Sequence, residues 1–261
     1  MMRRASFTLI EVVLVIALLA VIVAFAYPEL GAELKRRSLV ESADRLRSLI
    51  VRAHAQAMLE SRQYRIEFPG TPNPDDPNAE EAIDVPLETL QPRLLRQEDP
   101  LESPHMFVEY EAHWAPREVL MPGTRCVAVL AGRPRFDIDA SRPLAGPSIT
   151  EDAQAEFVPL TLYPDGTCDW VTFVLTDLPA DVQLEPGHAP RIVNVIVDGR
   201  TGAAWMQRAL RVEEVEIMEE MGASPILHMD FTRSDVITED NVLRVHMAAE
   251  GAVGSRQPAE P

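Results

Sequence analysis

Hydrophobic positions are spread unevenly along this chain. From Phe7 to Tyr27 the sequence runs for 21 residues with one charged side chain, Glu11. As a helix this run would be roughly 31 Å long, about the thickness of a bilayer hydrocarbon core. Arg3 and Arg4 stand ahead of it, and positive charge before an apolar run favours an N-terminus held in the cytoplasm. Lys35-Arg36-Arg37 on the far side pull the other way; the reading adopted is N-inside. Beyond Glu29 the apolar positions narrow to a stripe. Leu30, Leu34, Ala43, Leu46, Ile50, Ala53 and Ala57 recur at intervals near three and four, with one gap, and charged residues lie between them. The spacing predicts one helix from Phe7 to about Glu60, roughly 80 Å long. Its first half, apolar all round, requires lipid or other helices, and its second half requires a sheet to lie on. Pro28 lacks an N–H and is expected to bend or loosen the junction.

The period then changes to two. Tyr64, Ile66 and Phe68 alternate with Arg65 and Glu67, which predicts a strand over 63–68. Pro69 to Pro104 holds eight prolines and many acids and reads as a long loop or insertion. Further strands are predicted at 106–111 and 125–130. The segments 157–163 and 170–175 read as a strand pair joined by the turn Pro164-Asp165-Gly166-Thr167. Another strand at 191–197 turns through Asp198-Gly199-Arg200-Thr201-Gly202 and returns over 203–206. Residues 212–221 fit helix or strand, and 226–231 and 242–246 read as short strands. The fold class is therefore α+β: a long N-terminal helix packed on antiparallel sheets. The expected divisions are 1–6 as a leader, 7–27 as a membrane or filament-core helix, and 28–62 as its amphipathic continuation. A β-rich globular domain follows over 63–250, with a disordered tail at 251–261.

Composition narrows the function classes. Asp plus Glu number 41 against 24 Lys plus Arg, a net charge of −17. Such a surface repels phosphate backbones, so no nucleic acid is expected as a partner. Two cysteines, Cys126 and Cys168, exclude a four-cysteine metal site. Outside the cytoplasm they could form a disulfide, and as residues of apolar strands they could equally be two buried thiols. His54, His105, His113, His188, His228 and His246 form no tight ligand spacing. Asp75-Asp76 and Asp137-Ile138-Asp139 offer the oxygen donors calcium prefers, but in no recognised loop spacing, and solvated acidic turns describe them better. There is no G-x-S-x-G, Walker or Rossmann glycine pattern. The chain reads as a non-enzyme without a cofactor.

Glu11 is the anomaly in the apolar run, since a carboxylate there is costly unless neutralised. It lies four residues after Phe7, one helical turn on and on the same face. If the chain were cut before Phe7, Glu11 of one subunit could pair with the new α-amino group of a neighbour and set the axial stagger between helices. At this point the residues carry a resemblance. Phe7-Thr8-Leu9-Ile10-Glu11, behind a basic leader and ahead of an apolar helix, resembles the cleavage and methylation signal of type IV prepilins and type II secretion pseudoprepilins. The resemblance implies cleavage between Ser6 and Phe7 by a prepilin peptidase and N-methylation of Phe7. Pro28, the twenty-second residue counted from Phe7, matches that family's helix-bending proline. Ser6 departs from it, because the family carries Gly before the cut. The later order of strand, Pro-Asp-Gly, strand, then strand ending in Thr-Gly is similar to the GspH/FimT branch of minor pseudopilins.

That resemblance implies a pilin-like fold and a subunit of a type II secretion pseudopilus. It implies a single pass through the inner membrane with the C-terminal domain in the periplasm. Its implied partners are the prepilin peptidase, other major and minor pseudopilins, the inner-membrane assembly platform and membrane lipid. Two alternatives stand beside it. One is a type IV minor pilin for DNA uptake or pilus assembly, which would need a basic patch. The other is an exported soluble protein cut after Ala24-Phe25-Ala26, which would begin at Tyr27.

Overall fold

The computed structural model describes residues 9–68, 91–116, 118–133, 144–145, 157–180, 182, 188, 191–226, 228 and 230–232; at 9, 20–33 and 144–145 the backbone alone is described. The chain divides into two compact units, 1–37 and 38–261. Helix α1 (Leu9–Glu60) begins in the first and ends in the second.

In the first unit, every described side chain of the apolar run faces outward. Ile10, Val12, Val13, Leu14, Val15, Ile16, Leu18 and Leu19 are all exposed. Leu34, placed by its spacing on the buried stripe, is exposed as well. The sheets that bury the stripe belong to the unit beginning at Ser38.

In the second unit, α1 buries Leu39, Ser42, Ala43, Leu46, Leu49, Ile50, Ala53, His54 and Ala57. These fall three, four or seven apart on one face, and Leu39 fills the gap in the sequence pattern. Four of the nine are alanine or serine, so the helix can approach the sheets closely.

Two four-stranded antiparallel sheets receive it. The first has the order β3-β2-β1-β6, from β1 (Tyr64–Glu67), β2 (Arg93–Asp99), β3 (Ser103–Glu109) and β6 (Leu160–Leu162). The second has the order β4-β7-β8-β9, from β4 (Arg125–Ala131), β7 (Val171–Thr176), β8 (Ile192–Val197) and β9 (Ala204–Arg208). A small pair joins β5 (Leu144–Ala145) to β10 (Leu210–Arg211), and α2 (Val212–Glu220) follows directly. One core holds the α1 stripe together with Tyr64, Ile66 and Phe68, with Leu160 and Leu162, and with Val171, Phe173, Leu175, Val193, Val195 and Val197. Helix and both sheets thus share one apolar interior. Strands β7 and β8 are buried along their whole length, because their second face is covered as well: Ala128, Val174, Ile192 and Ala209 cluster there.

The structure corrects several sequence expectations. The stretch read as a loop to Pro104 contains β2 and the start of β3. Residues 157–163 and 170–175 do not pair along their length: the turn closes a short antiparallel bridge, Leu162 to Cys168, and the strands then part. Strand β6 pairs with β1, Tyr64 opposite Leu162, whereas β7 pairs with β4 and β8. The turn at 164–167 forms, with Tyr163 N–H donating to Thr167 O at 2.9 Å, but it hands the chain from one sheet to the other. Residues 212–220 are helical. Over 226–231 the described residues carry a single bridge, Gln207 to Phe231. The 242–246 strand and the 251–261 tail lie outside the described residues.

Candidate functional site

The N-terminal segment offers a surface rather than a pocket. Glu11 sits in the first turn of α1 and is exposed, among apolar side chains that are exposed too. Pro28 falls inside α1, which continues through it. Ser6 and Phe7 lie outside the described residues. Among the described residues, no helix is long and apolar enough to cross a membrane. The described side chains of the 7–27 run are the ten from Ile10 to Leu19, shorter than any span.

The globular unit is organised around α1 by polar contacts that fix its surroundings. The segment between β3 and β4 is tied down at three places. Ser42 Oγ accepts from Met121 N–H at 2.9 Å, Arg45 donates to Glu118 O at 3.2 Å, and Arg52 donates to Trp114 O at 3.0 Å. Gln91 bonds the same segment from another side, its Oε1 accepting from Val119 and Leu120 N–H. Near its C-terminus, α1 presents Glu60. Gln56 and Tyr64 donate to this carboxylate, and Arg96 approaches within 3.5 Å. Burial raises the Glu60 pKa, but the two hydrogen bonds and the Arg96 charge outweigh it and hold the carboxyl below its usual range. Burial, with the Glu60 bond behind it, pushes the Tyr64 hydroxyl well up. This hydroxyl therefore stays a donor.

His54 is the buried histidine of the α1 stripe. Its Nε2 donates to Gly166 O at 2.9 Å, in the Pro-Asp-Gly turn. Its ring also fills the space beneath Gly202, where an added Cβ would lie 2.4 Å from it. The turns at 164–167 and 198–202 therefore close on one helical side chain. Sequence spacing gave no role to this residue; the available signal was a histidine one position after Ala53, on the edge of the apolar stripe.

The cysteines are two separate buried thiols. Cys126 lies opposite Leu175 in the β4–β7 ladder. Val171, at the other end of β7, is already about 13 Å along the strand from Leu175, and Cys168 lies beyond it. A disulfide needs Cα atoms within about 7 Å, so the bridge left open by the sequence is not formed. Burial, with help from the Asp169 and Asp198 charges, pushes the Cys168 thiol up to about 11. Burial drives Cys126 higher still.

A second feature without a sequence signal joins β9 to α2. Arg208 and Glu214 are both almost fully buried and pair through two bonds of 2.8 and 2.7 Å. Glu214 also accepts from Arg211 N–H at 2.9 Å, at the head of α2, and the Arg208 guanidinium lies over the Phe231 ring.

Among the described residues, no group of three or more His, Cys, Asp or Glu could hold an ion. His105 and His113 are exposed, and His228 stacks on Trp205. Asp75, Asp76, Asp137, Asp139 and His246 lie outside the described residues.

Comparison with known proteins places one segment. Residues 1–27 match the model of the prokaryotic N-terminal methylation motif. The match supports a type IV pilin-like protein whose leader is processed by a prepilin peptidase and which assembles with other pilins. No curated protein and no solved structure matches the chain.

Proposed function

We propose that this chain is a minor pseudopilin of the GspH/FimT type, a structural subunit of a type II secretion pseudopilus. The observation that carries the reading is the methylation motif over residues 1–27. It ends at the residue where the apolar run ends, and an α+β unit follows. Cleavage between Ser6 and Phe7 removes Arg3 and Arg4 and leaves an α-amino group on Phe7, which is then methylated. The 7–27 helix anchors the subunit in the inner membrane, with the C-terminal unit in the periplasm. In the filament the same helix packs among its neighbours.

The outward-facing side chains from Ile10 to Leu19 suit both settings, since lipid and neighbouring helices each bury apolar surface. Glu11 is the register device in this reading. In an apolar surrounding its carboxylate is costly alone and favourable against a neighbour's Phe7 amine, which selects one stagger. Pro28 gives the helix its break in hydrogen bonding between the anchored and amphipathic parts. The partners are the peptidase, other pseudopilins and the assembly platform. Loss of Arg3 and Arg4 takes the side-chain charge from −17 to 22 − 41 = −19, which disfavours a close-packed homopolymer and suits a mixed filament.

The test is the mature N-terminus, read by mass spectrometry of membranes from cells with and without prepilin peptidase. N-methylated Phe7 that disappears without the peptidase is the expected result. A chain beginning at Tyr27 would make this an exported soluble protein. An uncut chain would remove it from the filament pathway.

A further inference from the structure

The two sheets have four edges, and three of them bond a flanking segment on the outer side. Along β6, Asp169 N–H donates to Thr161 O at 3.1 Å and Tyr163 N–H donates to Thr167 O at 2.9 Å. Along β4, Val158 N–H donates to Val129 O at 3.2 Å. Along β9, Phe231 N–H donates to Met206 O at 2.6 Å and Arg208 N–H donates to Phe231 O at 2.7 Å. The fourth edge, β3, pairs with β2 and bonds no other segment on its outer side among the described residues.

The register says which groups point outward. Tyr110 N–H donates to Leu94 O at 2.8 Å, so Val108 and Arg96, next in the same register, form the following bonded pair. The N–H and C=O of Phe107 and Glu109 therefore point away from β2. Proteins commonly blunt such an edge with proline, a bulge or lysine. Here Pro104 and the register shift between Gln97 and Asp99 guard only the hairpin end. Residues 105–109 remain a regular strand, mostly exposed.

The side chains add a direction. Val108 stands opposite Arg96, which stands opposite Tyr64, so Val108 and Met106 continue the sheet face that α1 covers at β1. At β3 that cover has run out: Met106 is 56% and Val108 37% exposed. The hairpin itself is acidic: from Glu98 to Glu111 there are five carboxylates and neither lysine nor arginine. The nearby cations belong to the inner strands, with Arg96 over Tyr110 and Arg65 over Phe107. The Asp99 carboxylate is held below its usual range by the Glu102 and Leu101 N–H groups, so it stays ionised.

From this placement we infer that the β3 edge is a docking site for an extended segment of another protein, added as a fifth strand to β3-β2-β1-β6. The occupant alternates apolar residues, which sit beside Met106 and Val108, with basic residues that meet Glu98, Glu102, Glu109 and Glu111. Main-chain bonds to Phe107 and Glu109 supply affinity, and the alternation supplies specificity. A second copy of this chain is a poor occupant, because two such hairpins would bring like charges together. The inference is independent of how the N-terminus is processed.

The test uses the full chain in detergent micelles and a fluorescent eight-residue peptide of alternating lysine and valine. A copy of the peptide N-methylated at every amide keeps the charge and side chains and cannot add as a strand. Binding is read by anisotropy at physiological salt. The N-methylated copy is expected to bind at least about tenfold more weakly. Glu109→Pro, which removes an outward N–H and leaves the bonds to β2, is expected to weaken the unmodified peptide similarly, and Glu109→Gln to do so only about two- to threefold. Amide exchange at Phe107 and Glu109 should slow when peptide is bound. Equal binding of the two peptides would reduce the site to net charge and overturn the inference, as would no binding. Self-association of the chain that Glu109→Pro abolishes would overturn it in favour of a second copy.

Discussion

The contact between His54 and Gly202 yields a quantitative prediction. Gly202 has φ +65°, in the left-handed region, where a residue with a Cβ costs about 1–2 kcal/mol. In Gly202→Ala the new Cβ would also lie 2.4 Å from Cε1 and Nε2 of His54 and 2.6 Å from Cδ2. The ring cannot swing aside freely, because it is buried and bonded to Gly166 O. Relieving an overlap of this kind in a packed interior costs about 1–3 kcal/mol. Gly202→Ala should therefore destabilise the unit by about 2–5 kcal/mol. His54→Ala removes the ring and leaves a cavity and an unpaired carbonyl, at about 2–4 kcal/mol. The two costs should not add, because the double variant has no ring for the Cβ to strike. Its penalty should fall short of the sum by about 1–3 kcal/mol, the overlap term alone.

The assay is urea unfolding of the full chain in micelles, followed through Trp170 and Trp205, which lie close to the two turns in sequence. Additivity within about 0.5 kcal/mol would refute the reasoning. It would mean that the turn at 198–202 does not rest on the His54 ring.

Other outcomes follow from the same geometry. Glu214→Ala leaves Arg208 buried without its partner and should cost about 3–5 kcal/mol; the paired replacement Arg208→Met with Glu214→Leu should recover most of that, measured by the same unfolding assay. Both thiols should react far more slowly with a disulfide reagent at pH 8 in the folded chain than in urea, since burial disfavours the thiolate; rapid reaction of Cys168 in the folded state would contradict its placement beneath Asp198. The Thr167 side chain and N–H hold the Asp165 carboxyl below its ordinary value. Its contribution is therefore present above the unfolded-chain pKa near about 4 and lost as pH falls through the lower folded value. Asp165→Asn should lower the melting temperature at pH 7, and the difference from the unchanged chain should shrink as pH falls through the folded value.

Much of this fold was legible because its elements obey a simple period. The α1 stripe, the alternation at Tyr64–Phe68 and the β-branched run Ile192–Val197 each follow from one repeat and one buried face. What escaped the pattern was set by partners. Strand β2, Arg93-Leu94-Leu95-Arg96-Gln97-Glu98-Asp99, has no clean alternation and lies between two prolines. It is extended because β1 and β3 bond it on both sides. The handover from β6 to β7 escaped because the turn closes a short antiparallel bridge, Leu162 to Cys168, before the chain changes sheets, and no residue marks where that pairing stops. The Arg208–Glu214 pair spans a strand, a bend and a helix start, where no fixed spacing exists. The N-terminal motif was the reverse case. The match over residues 1–27 falls where the sequence already stood out, because a lone carboxylate in an apolar run is a conflict that solvent cannot resolve.

The two glycine turns show why a sequence order can specify an architecture that no single pattern reveals. Gly166 and Gly202 belong to different connections, one between sheets and one within a sheet. Each is held at positive φ, 84° and 65°, and each brings its turn onto α1. Gly166 places its carbonyl on His54, and a Cβ there would meet Met58 Sδ at 3.2 Å; Gly202 places its backbone on the His54 ring. A third glycine, Gly199, lies where a Cβ would meet Trp170 and the Cys168 carbonyl, and its own carbonyl accepts from Cys168 N–H at 2.9 Å. The turn of β8–β9 is thereby bonded to the segment that enters β7. The order strand, Pro-Asp-Gly, strand, then strand ending in Thr-Gly thus records one physical requirement. Two backbone turns must come within contact of one helix: at Gly202 a Cβ would strike the buried His54 ring, and at Gly166 it is the positive φ that calls for glycine.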